Sequence, residues 1–172
     1  MTAIPQTAGA IALILLFSGG IAHTDGAGDP KAVSSREGEY LDKASNPTFK
    51  FANDGTVDWY TYVGYLRYGA NCLQCHGPDG LGSSYAPSLV DSLKSLSYAD
   101  FVSIVVAGKK EVNTAQEQVM PSFGTNRNVM CYIDPIYVYL RARSDGALGR
   151  QRPEKHEPKP DAFTKAENSC MG

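Results

Sequence analysis

The 172-residue chain lacks the features of a nucleic-acid-binding or membrane-spanning protein. Its 16 Lys and Arg are balanced by 18 Asp and Glu, so no excess of positive charge is available to neutralise phosphates, and nucleic acid is excluded as a partner. No apolar run reaches the roughly 18 to 20 residues that a membrane-spanning helix needs. Internal repeats are also missing. With 42% hydrophobic residues, the chain can form the core of one domain with tails.

The most apolar stretch runs from Ala8 to Ala22, is broken by a Ser-Gly-Gly sequence, and predicts an export signal. We place the signal peptide at residues 1–22, with cleavage after the small residue Ala22. No Lys or Arg precedes Lys31, which departs from the usual positively charged start of such a segment. An incorrect start codon, a lipid anchor and a buried N-terminal helix are the alternatives.

The N-terminal half predicts a flexible segment, a hairpin and a helix. Residues 23–47 are mostly polar and contain no clear element, so we expect them to be flexible. Alternation around Asn53-Asp54-Gly55 predicts a small hairpin over Thr48 to Val57. Apolar residues at helical spacing then predict a helix that ends near the first cysteine and buries Trp59, Val63 and Leu66.

Capping residues predict two further helices. Ser97, followed three residues later by an acidic residue, can cap a helix that Gly108 closes. Asp134-Pro135 is suited to begin the last helix, which ends before Gly146. Residues 148–172 carry three prolines among mixed charges and predict an extended surface tail.

The motif that carries chemistry is Cys72-Leu73-Gln74-Cys75-His76, which has the C-x-x-C-H form of a covalent attachment site for c-type haem. Two thiols at this spacing can each add to a haem vinyl group, and the adjacent histidine can then bind the iron. A redox dithiol and half of a zinc site are the alternatives. Zinc needs a second ligand pair. The remaining histidines and cysteines do not have the spacing of such a pair; they are His23, His156, Cys131 and Cys170.

The second axial position decides whether a haem carries electrons or binds ligands. The candidate is Met120, which lies beyond the helix capped by Ser97, with Pro121 fixing the backbone beside it. A thioether favours ferrous iron and raises the reduction potential, which suits an electron carrier. A core position for Met120 is the alternative, and Met130 is the next candidate ligand.

With the C-x-x-C-H motif and Met120, the segment of residues 60–147 resembles the class I cytochrome c family. Gly64 and Tyr68 match the family's first helix, in which the glycine lets the last helix cross closely and Tyr139 is a packing partner. Pro87 matches the proline whose carbonyl orients the proximal histidine.

The resemblance implies an all-α domain over residues 48–147 that wraps one covalently bound haem c, with a small hairpin at its N-terminal end and extended tails. It also implies the site residues: Cys72 and Cys75 for covalent attachment, His76 and Met120 as axial ligands, and Tyr68 and Pro87 in the haem pocket. Such a protein is an electron-transfer protein and not an enzyme, because the cofactor performs the redox chemistry.

A narrower resemblance covers further segments, namely Asp58 to Tyr62, Tyr85 to Lys94, Val112 to Gln116 and Asn128 to Tyr132. They are similar to the periplasmic cytochromes of methanol oxidation, and most similar to the form that accompanies lanthanide-dependent methanol dehydrogenase. The resemblance implies a periplasmic protein, and we expect a monomer. It would accept electrons from a pyrroloquinoline quinone (PQQ) methanol dehydrogenase and pass them to a downstream cytochrome or terminal oxidase.

Two cysteines, Cys131 and Cys170, are left over once the haem has taken two thiols. An exported protein meets an oxidising compartment, so we predict that they form a disulfide that ties the C-terminal tail to the domain. Two unpaired thiols are the alternative, because the sequence does not show that their Cα atoms lie close together.

Two other functions compete with that of a carrier. A haem peroxidase or gas sensor would leave the sixth position open, although no distal histidine is evident. A docking module would use the haem mainly to stabilise its core. A carrier for a different periplasmic dehydrogenase is a further alternative.

Overall fold

Two helices, α1 (Trp59–Asn71) and α6 (Ile133–Ser144), cross at the centre of the fold in a computed structural model that describes residues 28–112 and 117–172. At Gly64 a Cβ atom would overlap the carbonyl oxygen of Pro135 and lie 2.9 Å from Cβ of Tyr139. Any larger residue would therefore push the helices apart, since protein interiors are close-packed. The close crossing predicted at Gly64 is confirmed.

Helix α1 begins at an N-cap supplied by Asp58. One carboxylate oxygen of Asp58 accepts a hydrogen bond from the N–H of Thr61 (2.7 Å), and the other accepts from the Thr61 hydroxyl (2.8 Å) and the N–H of Lys50 (2.9 Å). Burial raises the pKa of the Asp58 carboxyl, and these hydrogen bonds oppose that shift. Val63 is buried as predicted, whereas Leu66 is 41% exposed.

The remaining helices are α2 (Leu73–His76), α3 (Leu89–Ser92), α4 (Tyr98–Ala107), α5 (Arg127–Met130) and α7 (Asp161–Met171), with a 3₁₀ turn at Pro78–Gly80. Helix α4 begins and ends as predicted, because the Ser97 side chain accepts from the N–H of Asp100 (3.1 Å) and Gly108 follows its last residue. Helix α6 begins at Ile133, one residue before Asp134. The Asp134 carboxylate does not cap this helix and instead accepts a hydrogen bond from the Tyr98 hydroxyl.

Two small antiparallel sheets correct the all-α expectation. One has the strand order β1 (Ser34–Arg36), β2 (Glu39–Leu41), β3 (Pro47–Thr48), and the other pairs β4 (Lys109–Val112) with β5 (Glu117–Met120). Strands β1 and β2 occupy the segment that we expected to be flexible. Glu37 and Gly38 join them with positive φ angles of 54° and 90°, the backbone that a tight hairpin requires.

The hairpin predicted over Thr48 to Val57 is wrong. Its central residues do form a turn, in which the N–H of Ala52 donates to the carbonyl of Thr56 (2.9 Å). The flanking residues pair elsewhere: Thr48 with Tyr40 in the first sheet, and Val57 with His156 in an isolated parallel bridge. Partners distant in sequence have displaced the local pairing.

The C-terminal tail is attached to the domain by a helix and a disulfide. Cys131 and Cys170 are bonded, with Cα atoms 5.7 Å apart, so the predicted disulfide is confirmed. The expectation of an extended tail is wrong for residues 161–171, which form α7. Phe163 of α7 is buried in the core, and the terminal helix also receives a hydrogen bond from Arg127 to the carbonyl of Met171 (2.7 Å).

The predicted signal peptide, residues 1–22, lies outside the described residues. Within residues 28–112 and 117–172, no helix has the length and apolar composition needed to cross a membrane.

The crossing at Gly64 predicts opposite effects for two glycines of the same helix. Gly64→Ala should lower the free energy of unfolding by on the order of 1–3 kcal/mol, because the new methyl group overlaps α6. At Gly69 a Cβ meets no atom within 4 Å, so Gly69→Ala should raise the free energy of unfolding by up to about 1 kcal/mol through helix propensity. Denaturant titrations of the two variants measure both changes. Equal stability of the variants would contradict a steric constraint at Gly64.

The buried carboxyl of Glu39 predicts a pH-dependent stability. Burial raises its pKa, as does the nearby Asp134 carboxylate, while the Arg36 guanidinium 2.9 Å away opposes the shift. The folded state therefore favours protonated Glu39, and this contribution is lost as the pH rises from the ordinary glutamate pKa through the folded-state pKa. We expect Glu39→Gln to gain stability relative to wild type as the pH rises from the ordinary glutamate pKa of about 4 through the folded-state pKa.

Denaturant titrations across this pH range measure that trend. Glu37→Gln removes a carboxylate from the adjacent exposed turn and controls for the change in net charge. A stability difference between wild type and Glu39→Gln that is independent of pH would contradict the raised pKa.

Candidate cofactor site

A cavity of about 560 Å³ lies between α2, α4, α6 and the β4–β5 hairpin. This volume is in the range of small-molecule and cofactor sites. Helices α4 and α6 supply much of its apolar wall: Phe101, Ile104, Val105, Ile133, Ile136 and Leu140. Their spacing of three or four residues marks an apolar helix face, but it does not reveal that the face borders a cavity.

The two cysteines of the C-x-x-C-H motif lie on this cavity because α1 leads directly into α2. The N–H of Cys72 still donates to the carbonyl of Tyr68 (2.9 Å) as the last turn of α1, and α2 begins at the next residue. Cys72 is partly buried and Cys75 is exposed, and the two are not bonded to each other. Burial raises the pKa of the Cys72 thiol to about 11, with a smaller contribution from Cys75.

His76 is buried and held by one backbone carbonyl. Its Nδ1 lies 3.0 Å from the carbonyl oxygen of Pro87. A carbonyl can only accept, so this contact assigns the proton to Nδ1 and leaves Nε2 free to bind a metal. The loop between the two residues is fixed to the same histidine, because the N–H of Gly82 donates to the His76 carbonyl (2.8 Å).

Met120 also lines the cavity. It is the last residue of β5, where it pairs with Lys109 of β4, and it is partly exposed. The next candidate ligand, Met130, belongs to α5 and does not line the cavity. The structure therefore brings Cys72, Cys75, His76 and Met120 to one cavity, together with Pro87.

Tyr68 is not among the residues that line the cavity, and its place in the haem pocket stays a prediction. It lies behind the motif, 1% exposed, with its ring centroid 5.4 Å from that of Tyr139. Its hydroxyl donates to the carbonyl of Gly77 (2.5 Å), the residue after His76. Tyr68 therefore supports the site by holding the backbone that follows His76.

No second cluster of ligands supports the zinc alternative. Within the described ranges there is no group of three or more His, Cys, Asp or Glu side chains that could hold a metal ion. His156 lies at the surface, stacked on Tyr62 with ring centroids 3.7 Å apart. Cys131 and Cys170 are consumed by the disulfide.

Comparison with known proteins shows the family of this chain. The family described as "Cytochrome C oxidase, cbb3-type, subunit III" matches residues 63–140. Cytochrome c-555 of Methylococcus capsulatus is 38% identical over 100 residues, which cover 58% of this chain and 75% of that protein. The chain belongs to the cytochrome c family.

Two further relatives are more similar in sequence. Cytochrome c-553I of Paracoccus denitrificans is 58% identical over 125 residues, or 73% of this chain, although the chain spans only 55% of that relative's length. The crystal structure of the c-type cytochrome XoxG from Methylobacterium extorquens AM1 superposes with a TM-score of 0.76 at 53% identity. The match covers 82% of this chain and 86% of that one.

Membership in this family confirms the resemblance drawn from the sequence. The fold is that of a class I cytochrome c with two small sheets added. Cytochromes c are electron-transfer proteins, not enzymes, and they hold haem c covalently. The cavity fits that group, because two thiols, an imidazole with a free Nε2 and a thioether line one largely apolar space.

Proposed function

We propose that this chain is a periplasmic one-electron carrier that accepts electrons from a PQQ-dependent methanol dehydrogenase. It would pass them to a downstream cytochrome or terminal oxidase. The observation that carries the proposal is the convergence of Cys72, Cys75, His76 and Met120 on one apolar cavity.

Each of these residues has a distinct role in the proposal. Cys72 and Cys75 would attach haem c through thioether bonds, and His76 and Met120 would bind its iron from the two axial sides. When bound, the haem supplies reversible one-electron transfer at its iron. Pro87 orients the His76 ring through the 3.0 Å hydrogen bond and sets which nitrogen faces the metal.

The protein's own contribution is to exclude water and hold the ligands still. Six apolar side chains of α4 and α6 form the cavity wall, which lowers the local polarity and disfavours ferric iron. A thioether ligand acts in the same direction, because it stabilises the ferrous state. Both effects raise the reduction potential.

Electron exchange requires that one edge of the cofactor lies near the surface. The exposed Cys75 would attach the haem at such an edge. Cys75 is exposed, and Tyr85, which also lines the cavity, is 75% exposed. On β4, Lys109 pairs with Glu111 (2.6 Å). We expect a small, brief contact with the partner at this edge, as in other redox encounters.

The proposed donor rests on likeness to relatives. The segments that resemble the cytochromes of lanthanide-dependent methanol oxidation include Tyr85 to Lys94, which forms part of the cavity rim. The similarity to the c-type cytochrome XoxG extends over 82% of this chain and supports the same assignment. The proposed periplasmic location follows from this assignment and from the predicted signal peptide.

The competing function, a gas sensor or peroxidase, requires an open sixth position and favours a polar group beside it. Among the described residues, the cavity is lined by one histidine, His76, and it already serves the proximal side in our proposal. Met120 lines the same cavity, which favours the closed, electron-carrying state.

Met120 can be tested with carbon monoxide. The reduced wild-type holoprotein should keep its visible spectrum under CO, because a bound thioether blocks the sixth position. Met120→Ala should bind CO rapidly and completely, and its reduction potential should fall. Met130→Ala, outside the cavity, is the matched control and should behave as wild type. Rapid CO binding by the wild type would refute the carrier and favour the sensor.

The donor is tested by mixing oxidised holoprotein with lanthanide-dependent methanol dehydrogenase and methanol in a stopped-flow instrument. We expect fast, saturable haem reduction that requires methanol, with the same mixture lacking methanol as the control. If the haem is reduced by a chemical reductant but not by the dehydrogenase, the proposed carrier role stands. Methanol dehydrogenase is then wrong as the donor.

A further inference from the structure

Helix α4 ends against the segment that follows β5. The last carbonyls of an α-helix have no partner within the helix, so other groups must satisfy them. Here the Val105 carbonyl accepts from the N–H of Phe123 (3.0 Å), and the Val106 carbonyl accepts from the N–H of Gly124 (3.2 Å). The Val106 carbonyl also accepts from the Ser122 hydroxyl (2.6 Å). Three successive residues therefore bind the end of this helix.

Gly108 brings the same segment into direct backbone contact. Its φ angle is +76°, and a Cβ atom there would lie 2.6 Å from the carbonyl oxygen of Met120, 2.8 Å from the nitrogen of Ser122 and 2.9 Å from the carbonyl carbon of Pro121. Real Cβ atoms do not approach other atoms so closely. The absence of a side chain at Gly108 is thus a condition for this path of the chain.

Met120 is consequently held on both sides along the chain. Before it, β5 is paired with β4, and Met120 itself lies opposite Lys109. After it, Pro121 restricts the backbone, and the hydrogen bonds from residues 122–124 fix the chain to α4. The backbone at Met120 cannot move away from the cavity without breaking contacts to α4.

We propose that Val105, Val106, Gly108 and Ser122 form a clamp, here called the α4 clamp, that positions Met120 and sets the strength of its bond to the haem iron. The proposal rests on the proposed role of Met120 as sixth ligand and assigns positioning residues to it. A loosened clamp lets the thioether leave the iron more often. The sixth position then opens to external ligands, and the reduction potential falls.

Two variants loosen the clamp to different degrees. Ser122→Ala removes one hydrogen bond from an exposed side chain and should leave the fold intact. We expect severalfold faster CO binding by the reduced holoprotein, a weaker methionine-to-iron charge-transfer band in the oxidised protein, and a lower reduction potential. Gly108→Ala should produce larger changes in the same three quantities, because the methyl group displaces the Met120 backbone.

Each variant has a matched control. Gly146 has a nearly identical φ of +73°, but a Cβ there meets no atom within 4 Å, so Gly146→Ala reproduces the backbone strain without the contact. Ser103→Ala removes an exposed serine from α4 itself. Both controls should match wild type in CO binding, charge-transfer band and potential, whatever they do to stability.

The outcomes separate the clamp from the ligand. Ser122→Ala with wild-type CO binding, band and potential would overturn the clamp if Met120→Ala changes all three. If Met120→Ala changes none of them, the ligand assignment fails, and the clamp fails with it. If Gly108→Ala does not accumulate as folded protein, Ser122→Ala decides alone.

Discussion

The close approach of α1 and α6 at Gly64 is the constraint on which the rest of the structure depends. It places the end of α1, and with it Cys72 and Cys75, beside the apolar face of α6 that walls the cavity. A side chain at Gly64 would separate the attachment site from that wall. Tyr68, one turn further along α1, packs against Tyr139 of α6 and donates to the backbone just after His76. The crossing and the proximal side of the site are therefore one packed unit.

The candidate axial ligands lie at the ends of regular structure, where backbone groups are free to hold them. His76 ends α2 and is oriented by the carbonyl of Pro87. Met120 ends β5, and the residues after it satisfy the terminal carbonyls of α4. In both places, hydrogen bonds within the fold also fix a candidate metal ligand. Such rigid ligation suits electron transfer, in which the ligands should move little between oxidation states.

Elements outside the haem-binding unit close its periphery. The three-stranded sheet buries Glu39 beside Asp134 at the start of α6, and Tyr98 of α4 donates to the same aspartate. Helix α7 inserts Phe163 into the core and is bonded through Cys170 to Cys131. These attachments join both ends of the described chain to α6 and its neighbours, which resists local opening around the cavity.

The sequence by itself determined the features whose causes are local. Cys72, Cys75 and His76 are fixed by a five-residue spacing, and Ser97 caps α4 through a contact three residues away. Features that depend on distant partners were decided by the tertiary structure. Val57 pairs with His156 and not across its own turn, Tyr68 lies behind the cavity, and residues 161–171 form a helix against a core that they help to complete. The position of Met120 combines both, because its neighbour Pro121 is visible in the sequence, whereas the end of α4 that holds it is brought there only by folding.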